Sequence, residues 1–356
     1  MKTFRTAEWM VGAGVIAALL GDDVGCGRQV VGVAKPAALL AWEPCPQDAA
    51  AKITTVKATP VRTYVGFSNG ERFFKANVES GWSPFDHGPS PCDQPTPRGA
   101  LTAFAVTQAT TFIAFAGTPG APGLWRSPDD ESCWAQIGVA DDFWNLSVSP
   151  FSTIELLASS RGGVWVSHDL GGSWSLGDQP RSFDFDGAVQ AVAAGTSPTG
   201  TARAWLGDAA GHLYYSDDLS GLTPSFDTRA PDQLRWHAVS PDPGFPRRRV
   251  VAISIDVGRP QTIWVTFVGL RADSLWTSDD SGLSWRNPHG GELCAGDSPA
   301  LGGDDGGAAA TATFTAVSPV PAVGAAYVTA LRTNRNGELT TTSFWIADGS
   351  DSWWTM

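Results

Sequence analysis

Short apolar runs separated by polar and turn-forming residues dominate the chain. Gly123-Leu124-Trp125, Gly163-Val164-Trp165-Val166, His212-Leu213-Tyr214-Tyr215, Ser274-Leu275-Trp276 and Ser343-Phe344-Trp345 are rich in aromatic and β-branched side chains. Longer runs of the same kind are Thr153–Ala158, Val250–Ile255, Thr262–Val268 and Ala325–Leu331. Runs of this length and composition predict strands. No convincing amphipathic helix follows residue 40. Ser149-Pro150, Ser197-Pro198, Ser240-Pro241 and Ser318-Pro319 read as turns between strands. The pattern predicts about four strands in every 40–70 residues. The departure is Met10–Leu20, eleven apolar residues after Lys2 and Arg5. That run is too short to span a bilayer as a mature helix but suits the core of a secretory signal, with a buried N-terminal helix as the alternative. The expected organisation is a signal peptide over 1–25, a linker over 26–38 and one domain over 39–356.

Each short run leads into a hairpin of recurring composition. Residues 167–174 (SHDLGGSW) and 278–285 (SDDSGLSW) both fit S-x-D-x-G-x-x-W. The shared positions are Ser167, Asp169, Gly171 and Trp174, and Ser278, Asp280, Gly282 and Trp285. Residues 127–134 (SPDDESCW) keep Ser127, Asp129 and Trp134. Residues 216–223 keep Ser216 and Asp218 without the Trp, residues 346–353 keep Asp348 and Trp353, and residues 75–82 keep Trp82. In such a turn the carboxylate accepts bonds from backbone N–H groups. The glycine supplies a positive φ, and the Trp begins the next strand. These Asp residues therefore read as structural.

The hairpin resembles the Asp-box, or bacterial neuraminidase repeat, of sialidases and many other β-propellers. The resemblance implies an all-β propeller of the sialidase-like superfamily, each blade burying its faces against its neighbours. Box tryptophans at 42, 82, 134, 174, 285 and 353, with one missing near 223–226, enclose six intervals. Six blades are expected, or seven if residues 287–313 hide strands. The final blade is expected to lack a full outer strand, which Leu39–Pro44 could supply.

In this architecture the box turns lie on one face, and the blade connections and middle-strand turns on the other. By resemblance, ligand sites sit on that second face. Its expected residues are Asp86, His87, Asp141, Asp142, Arg161 and Arg181, with Asp184, Asp186, Asp208, His212, Arg271, Asp273 and Arg335. A solvated loop face is the competing reading. Arg247-Arg248-Arg249 is expected on the opposite face.

Composition narrows the function. The 356 residues include 24 Lys and Arg against 36 Asp and Glu, a net charge of −12. An acidic chain does not suit nucleic-acid binding. A sialidase would need an arginine triad, a Tyr–Glu nucleophile pair and a separate acid/base. The family's Phe-Arg-Ile-Pro segment is absent, and the four Tyr (64, 214, 215 and 327) lie in strand-like runs. No spacing singles out a carboxylate pair for another glycosidase. The five His are scattered, with no H-x-x-x-H or C-x-x-C. No metal or cofactor is expected, apart from Ca²⁺ on the acidic loop 302–307 (GGDDGG) as an alternative to plain solvation.

Five cysteines occur. Val24-Gly25-Cys26 resembles a bacterial lipobox, although Asp22 and Asp23 depart from it, so Cys26 is a candidate lipidation site. Cys45 and Cys92, both expected in adjacent blade loops, are the candidate disulfide. The leading functional expectation is an exported, monomeric, non-catalytic module binding a glycan or a protein, anchored to a membrane only if lipidated. A glycoside hydrolase acting on polysaccharide is the alternative.

Overall fold

The computed structural model describes residues 53–59, 61–76, 82–84, 100–107, 110–116, 123–128, 134–137, 141–149, 155–160, 163–177, 189–217, 236–240, 243–269, 274–287, 312–320, 325–333, 339–347 and 353–355. The calls on residues 1–52 lie outside these, including the signal segment, Cys26, Cys45 and Leu39–Pro44. No described helix is long and apolar enough to cross a membrane.

The described strands form six antiparallel sheets. The first holds β1 (Ile53–Ala58), β2 (Arg62–Phe67), β3 (Arg72–Ala76) and β4 (Ser83–Pro84). The second holds β5 (Ala100–Val106), β6 (Thr110–Ala116), β7 (Gly123–Pro128) and β8 (Ala135–Ile137). The third holds β9 (Phe143–Val148), β10 (Leu156–Ser160), β11 (Gly163–Ser167) and β12 (Ser175–Leu176). The fourth holds β13 (Val189–Thr196), β14 (Ala202–Asp208), β15 (Leu213–Ser216) and β16 (His237–Ala238). The fifth holds β17 (Val250–Asp256), β18 (Arg259–Phe267) and β19 (Leu275–Ser278). The sixth holds β20 (Ala312–Val320), β21 (Ala325–Thr333), β22 (Leu339–Ala347) and β23 (Trp353–Thr355). Every sheet is a simple meander, its strands in chain order.

The first strands β1, β5, β9, β13, β17 and β20 each pack on the next, and β20 packs on β1 to complete a circle. The arrangement is an all-β propeller. Its core is distributed between sheets rather than gathered at one place. Leu157, Val164 and Val166 of the third sheet meet Val192, Leu206 and Trp236 of the fourth. Trp205 and Leu213 of the fourth meet Ile253, Ile263 and Val265 of the fifth. Ala316 and Tyr327 of the sixth meet Ile53, Val56 and Phe67 of the first.

A regularity invisible in the sequence emerges in the register. Each first strand skips one residue near its start: Thr54, Thr102, Trp144, Gln190, Val251 and Thr315 have no partner on the second strand. Such a bulge bends and twists the strand. Two of these side chains bridge to the next sheet. The Thr54 hydroxyl donates to Leu101 O, and the Thr102 hydroxyl donates to Phe143 O at 2.6 Å. Three residues beyond the bulge, Ser147 Oγ accepts from Ala194 N of the next sheet at 3.0 Å. Ser318 Oγ accepts from Ala58 N in the same way at 2.8 Å, so the last sheet holds the first by the bond used between interior sheets.

The S-x-D-x-G-x-x-W hairpins of the third and fifth sheets share the bonds made by their Ser and Asp side chains. Ser167 Oγ accepts from Gly171 N (2.7 Å), and Asp169 Oδ1 accepts from Ser173 N (2.8 Å). Ser278 Oγ accepts from Gly282 N (2.8 Å), and Asp280 Oδ1 accepts from Ser284 N (2.9 Å). Two successive residues are left-handed in each turn: Leu170 (φ 58°) with Gly171 (78°), and Ser281 (61°) with Gly282 (84°). Glycine is required at the second for a further reason, because each turn presses on the preceding sheet. A Cβ on Gly282 would lie 2.2 Å from the Trp205 ring, and one on Gly171 would lie 2.5 Å from Ile137. Arginines of those preceding sheets reach the left-handed residues: Arg126 donates to Leu170 O (3.2 Å) and Arg203 to Ser281 O (2.9 Å). The turns thus fasten one sheet to the next.

Three placements differ from expectation. The tryptophan missing near 223–226 is Trp236, which is buried and leads directly into β16. Ser318-Pro319 is not a turn but lies inside β20, paired with Tyr327 and Ala326. The outer strand of the sixth sheet is β23, formed by the chain's own end and pairing with β22.

Candidate functional site

Antiparallel meanders set which loops share an end of the channel. Turns from first to second strands lie at the end carrying the box hairpins. Sheet-to-sheet connections and second-to-third turns lie at the other end. Arg247, Arg248 and Arg249 belong to the connection between β16 and β17, so they lie at the second end, contrary to expectation. The backbone of Pro246 and Arg248 closes on Gly211 of the β14–β15 turn there, and Arg248 donates to Val268 O (2.8 Å).

Of the described residues expected to form a ligand face, Asp208 and Asp141 have both carboxylate oxygens engaged in the fold. Asp208 is fully buried; its Oδ1 accepts from His212 N (2.8 Å) and its Oδ2 pairs with His212 Nδ1 (2.9 Å). This closes the β14–β15 turn. Asp141 Oδ1 accepts from Asp142 N (2.8 Å), and Oδ2 accepts from Ser160 Oγ, which in turn accepts from Trp165 Nε1 (2.9 Å). That chain of bonds fixes the start of β9 to the β10–β11 hairpin. The structure brings Asp208 to His212 and Asp141 to Asp142. The remaining expected residues, Asp86, His87, Arg161, Arg181, Asp184, Asp186, Arg271, Asp273 and Arg335, lie outside the described residues, as do Asp129, Asp218, Asp348 and Cys92. Ser127, Ser216 and Trp134 are buried at the outer hairpins, and the backbone of Trp353 opens β23. No group of three or more His, Cys, Asp or Glu able to hold a metal occurs among the described residues.

The central channel is a cavity of about 910 Å³. Its walls come from all six first strands, and its lining continues to Thr59, Val61, Thr107, Ser149 and Val257 at the first-to-second-strand turns. It therefore reaches the end that carries the box hairpins. Among the described residues lining it, the charged ones are Lys57 and Arg62. Threonine, serine and asparagine side chains alternate with apolar ones, and Tyr64, Phe104 and Trp144 contribute rings. Arg62 sits over the Phe74 ring, 4.6 Å from its centroid.

Lys57 is half-buried on the channel wall, near the end of β1. Burial pushes its ammonium well below the ordinary lysine value of 10.5, because removing water disfavours the charged form, while Asp256 pulls it partly back. Asp256 has both oxygens occupied: Gly258 N donates to Oδ1 (2.8 Å) and Arg259 Nε to Oδ2 (3.0 Å). No hydrogen bond or ion pair among the described residues holds the Lys57 ammonium. Sequence reasoning passed over this lysine because nothing near it in the chain forms a motif.

No family model matches the chain, and no curated protein matches it. Solved structures do. The β-propeller domain of Cps50 (Swd1) from Myceliophteria thermophila superposes with a TM-score of 0.51 at 8% identity, covering 86% of this chain and 87% of that one. The chain shares the propeller fold. YCF48 from Cyanidioschyzon merolae matches at TM-score 0.48 and 12% identity, over 89% of this chain and 88% of that one. An ancestral GH74 enzyme matches at 0.47 and 16% identity, over 86% of this chain and 40% of that one.

Proposed function

We propose that the chain is a six-bladed, Asp-box propeller that is exported and acts as a non-catalytic binding module, with its ligand seated in the central channel. The channel itself carries the reading. It has the size of a small-molecule site, mixes apolar walls with a few polar groups, and presents cations with no carboxylate among its described lining. Glycosidic cleavage calls for two carboxylates facing one sugar. The six sheets, each with the same bulge, support the blade number. The matched bonds around Asp169 and Asp280 support the Asp-box assignment. Export rests on the Met10–Leu20 run. A glycan or protein partner would have to present a group narrow enough to enter the channel.

The test is a small-molecule thermal-shift screen and a glycan array on the purified chain, beside a fluorogenic glycosidase panel. Saturable binding without turnover is expected. Asn145→Trp, which fills the channel wall, should abolish binding while leaving the circular dichroism spectrum intact. Turnover of any glycoside, lost with the same substitution, would overturn the reading.

A further inference from the structure

The repeat supplies its own control on the channel. Counting from the bulge, the equivalent inner-strand positions are Lys57, Ala105, Ser147, Ala193, Ser254 and Ser318. Five of the six are alanine or serine. Small side chains there let neighbouring first strands approach, and Ser147 and Ser318 accept an amide from the next sheet. The fold therefore asks for a small residue at this position. Lys57 departs from the rule, in a chain whose net charge is −12. Lys57 is half-buried against the channel, and no described residue holds its ammonium. Asp256, the charge nearest in effect, is already committed to Arg259 and a backbone N–H.

The surroundings extend the asymmetry. At the bulge position, Trp144 stands where the other strands carry Thr, Thr, Gln, Val and Thr. At the channel mouth, Val61 is 69% exposed and Val257 is 45% exposed, and both line the cavity. They are two of the four large apolar residues exposed among those described. An unpartnered cation thus lies inward of an apolar rim.

We infer that the channel binds small organic acids, with the ligand's carboxylate on the Lys57 ammonium and its apolar body against Val61 and Val257. The inference rests on the channel-binding reading above and names the ligand class. The carboxylate supplies the partner that no described residue gives the Lys57 ammonium, by a charge-assisted hydrogen bond. The cavity's volume suits a molecule of drug size rather than a folded partner.

Binding also moves a proton. Burial holds part of the Lys57 population neutral at alkaline pH, and a bound anion restores the charged form. The other groups about it do not compete for this role. Tyr64 lies opposite in register on β2, Arg62 is at the rim, and Asp256 is paired with Arg259. The strands β5 and β20, packed on either side of β1, contain no charged residue, and on β21, which also packs on β1 and carries Arg332, burial pushes the Tyr327 hydroxyl up to about 12, so it stays neutral.

Isothermal titration of the full chain with octanoate and benzoate, beside octanamide and benzamide, is the test. The acids should bind roughly tenfold or more tighter than the amides, as expected for a hydrogen bond to a charged group. In two buffers of different ionisation enthalpy at alkaline pH, acid binding should show proton uptake. Lys57→Met should remove both the preference and the uptake, and Lys57→Arg should keep the preference. Glucuronate and phosphate should bind more weakly than octanoate, for want of an apolar body. Equal binding of acid and amide, or an unchanged preference in Lys57→Met, overturns the inference while leaving a channel-binding module. Binding of no acid and no amide overturns the inference outright. Glucuronate or phosphate matching octanoate overturns the role of the apolar rim.

Discussion

The third and fifth sheets carry the same eight-residue hairpin with the same Ser and Asp bonds, whereas the inner position shared by all six sheets holds five small residues and Lys57. At the periphery the repeat is obeyed down to single hydrogen bonds. At the channel wall it is broken once. A feature kept in several sheets serves the fold common to them. A feature found in one, at a place where the other five agree, is not required by that fold. The hairpins fasten neighbouring sheets through the contacts of Arg126 and Arg203 with left-handed backbone. Lys57 fastens nothing among the described residues.

This contrast can be broken experimentally, beginning where the effect is greatest. Gly282→Ala combines a left-handed backbone with a Cβ driven into the Trp205 ring, and should cost about 3 kcal/mol or more in chemical denaturation. Gly200→Ala is its control: φ is also positive (85°), but nothing lies within 4 Å of the added Cβ. It should cost only about 1 kcal/mol. Equal costs would show that the close approach to Trp205 does not matter. Trp285→Ala removes a half-buried indole that meets Trp205 edge-on at 5.8 Å, and should cost about 2–4 kcal/mol. A wild-type melting temperature would remove this hairpin from the set.

The hairpin carboxylates give a pH signature. Hydrogen bonds from Ser173 N and Oγ hold Asp169 below its ordinary value of 3.8. Burial alone would raise Asp280, but the bonds from Ser284, Ser278 and Leu283 outweigh it and hold that carboxyl low as well. Folded-state values below the unfolded ones mean that this stability is present above about pH 4 and is lost as pH falls through the depressed values. Asp280→Ala should cost about 1–2 kcal/mol at neutral pH. Its stability should also fall less steeply with acid than that of the wild type.

Lys57→Met should have the smallest effect and the opposite sign, a gain of about 1 kcal/mol or less at neutral pH from relieving an unpaired, half-buried charge. The sign follows from the lowered ammonium value. Between the folded value and 10.5, the unfolded chain binds more protons, so wild-type stability rises with pH across that window. The variant should lose that rise. A destabilised Lys57→Met protein would mean that the lysine serves the fold after all.

The hairpins were legible in the sequence because each is closed within eight residues, so spacing alone records the geometry. Trp236 was missed because the connection after Ser216 is longer than in the matched hairpins and moves the tryptophan along the chain. Ser318-Pro319 looked like a turn by composition. Its strand position becomes intelligible only in register, where Pro319 stands at the place from which Ala58 and Ala194 donate to the preceding sheet. The bulges left no trace, since Thr, Trp, Gln and Val all occupy them. The channel was hidden for a related reason. Its walls come from six segments spread over most of the chain, and none is unusual alone.

The bond from Ala58 to Ser318 spans 260 residues, while the equivalent bond from Ala194 to Ser147 spans 47. The two are chemically alike, but they differ in what the chain must do to make them. Closing the longer loop carries the larger entropy loss and must wait for the last sheet to form. The ring is therefore a clasp as well as a repeat. Its interior joints close over short spans of chain, and the joint between β20 and β1 closes over a span of 260 residues.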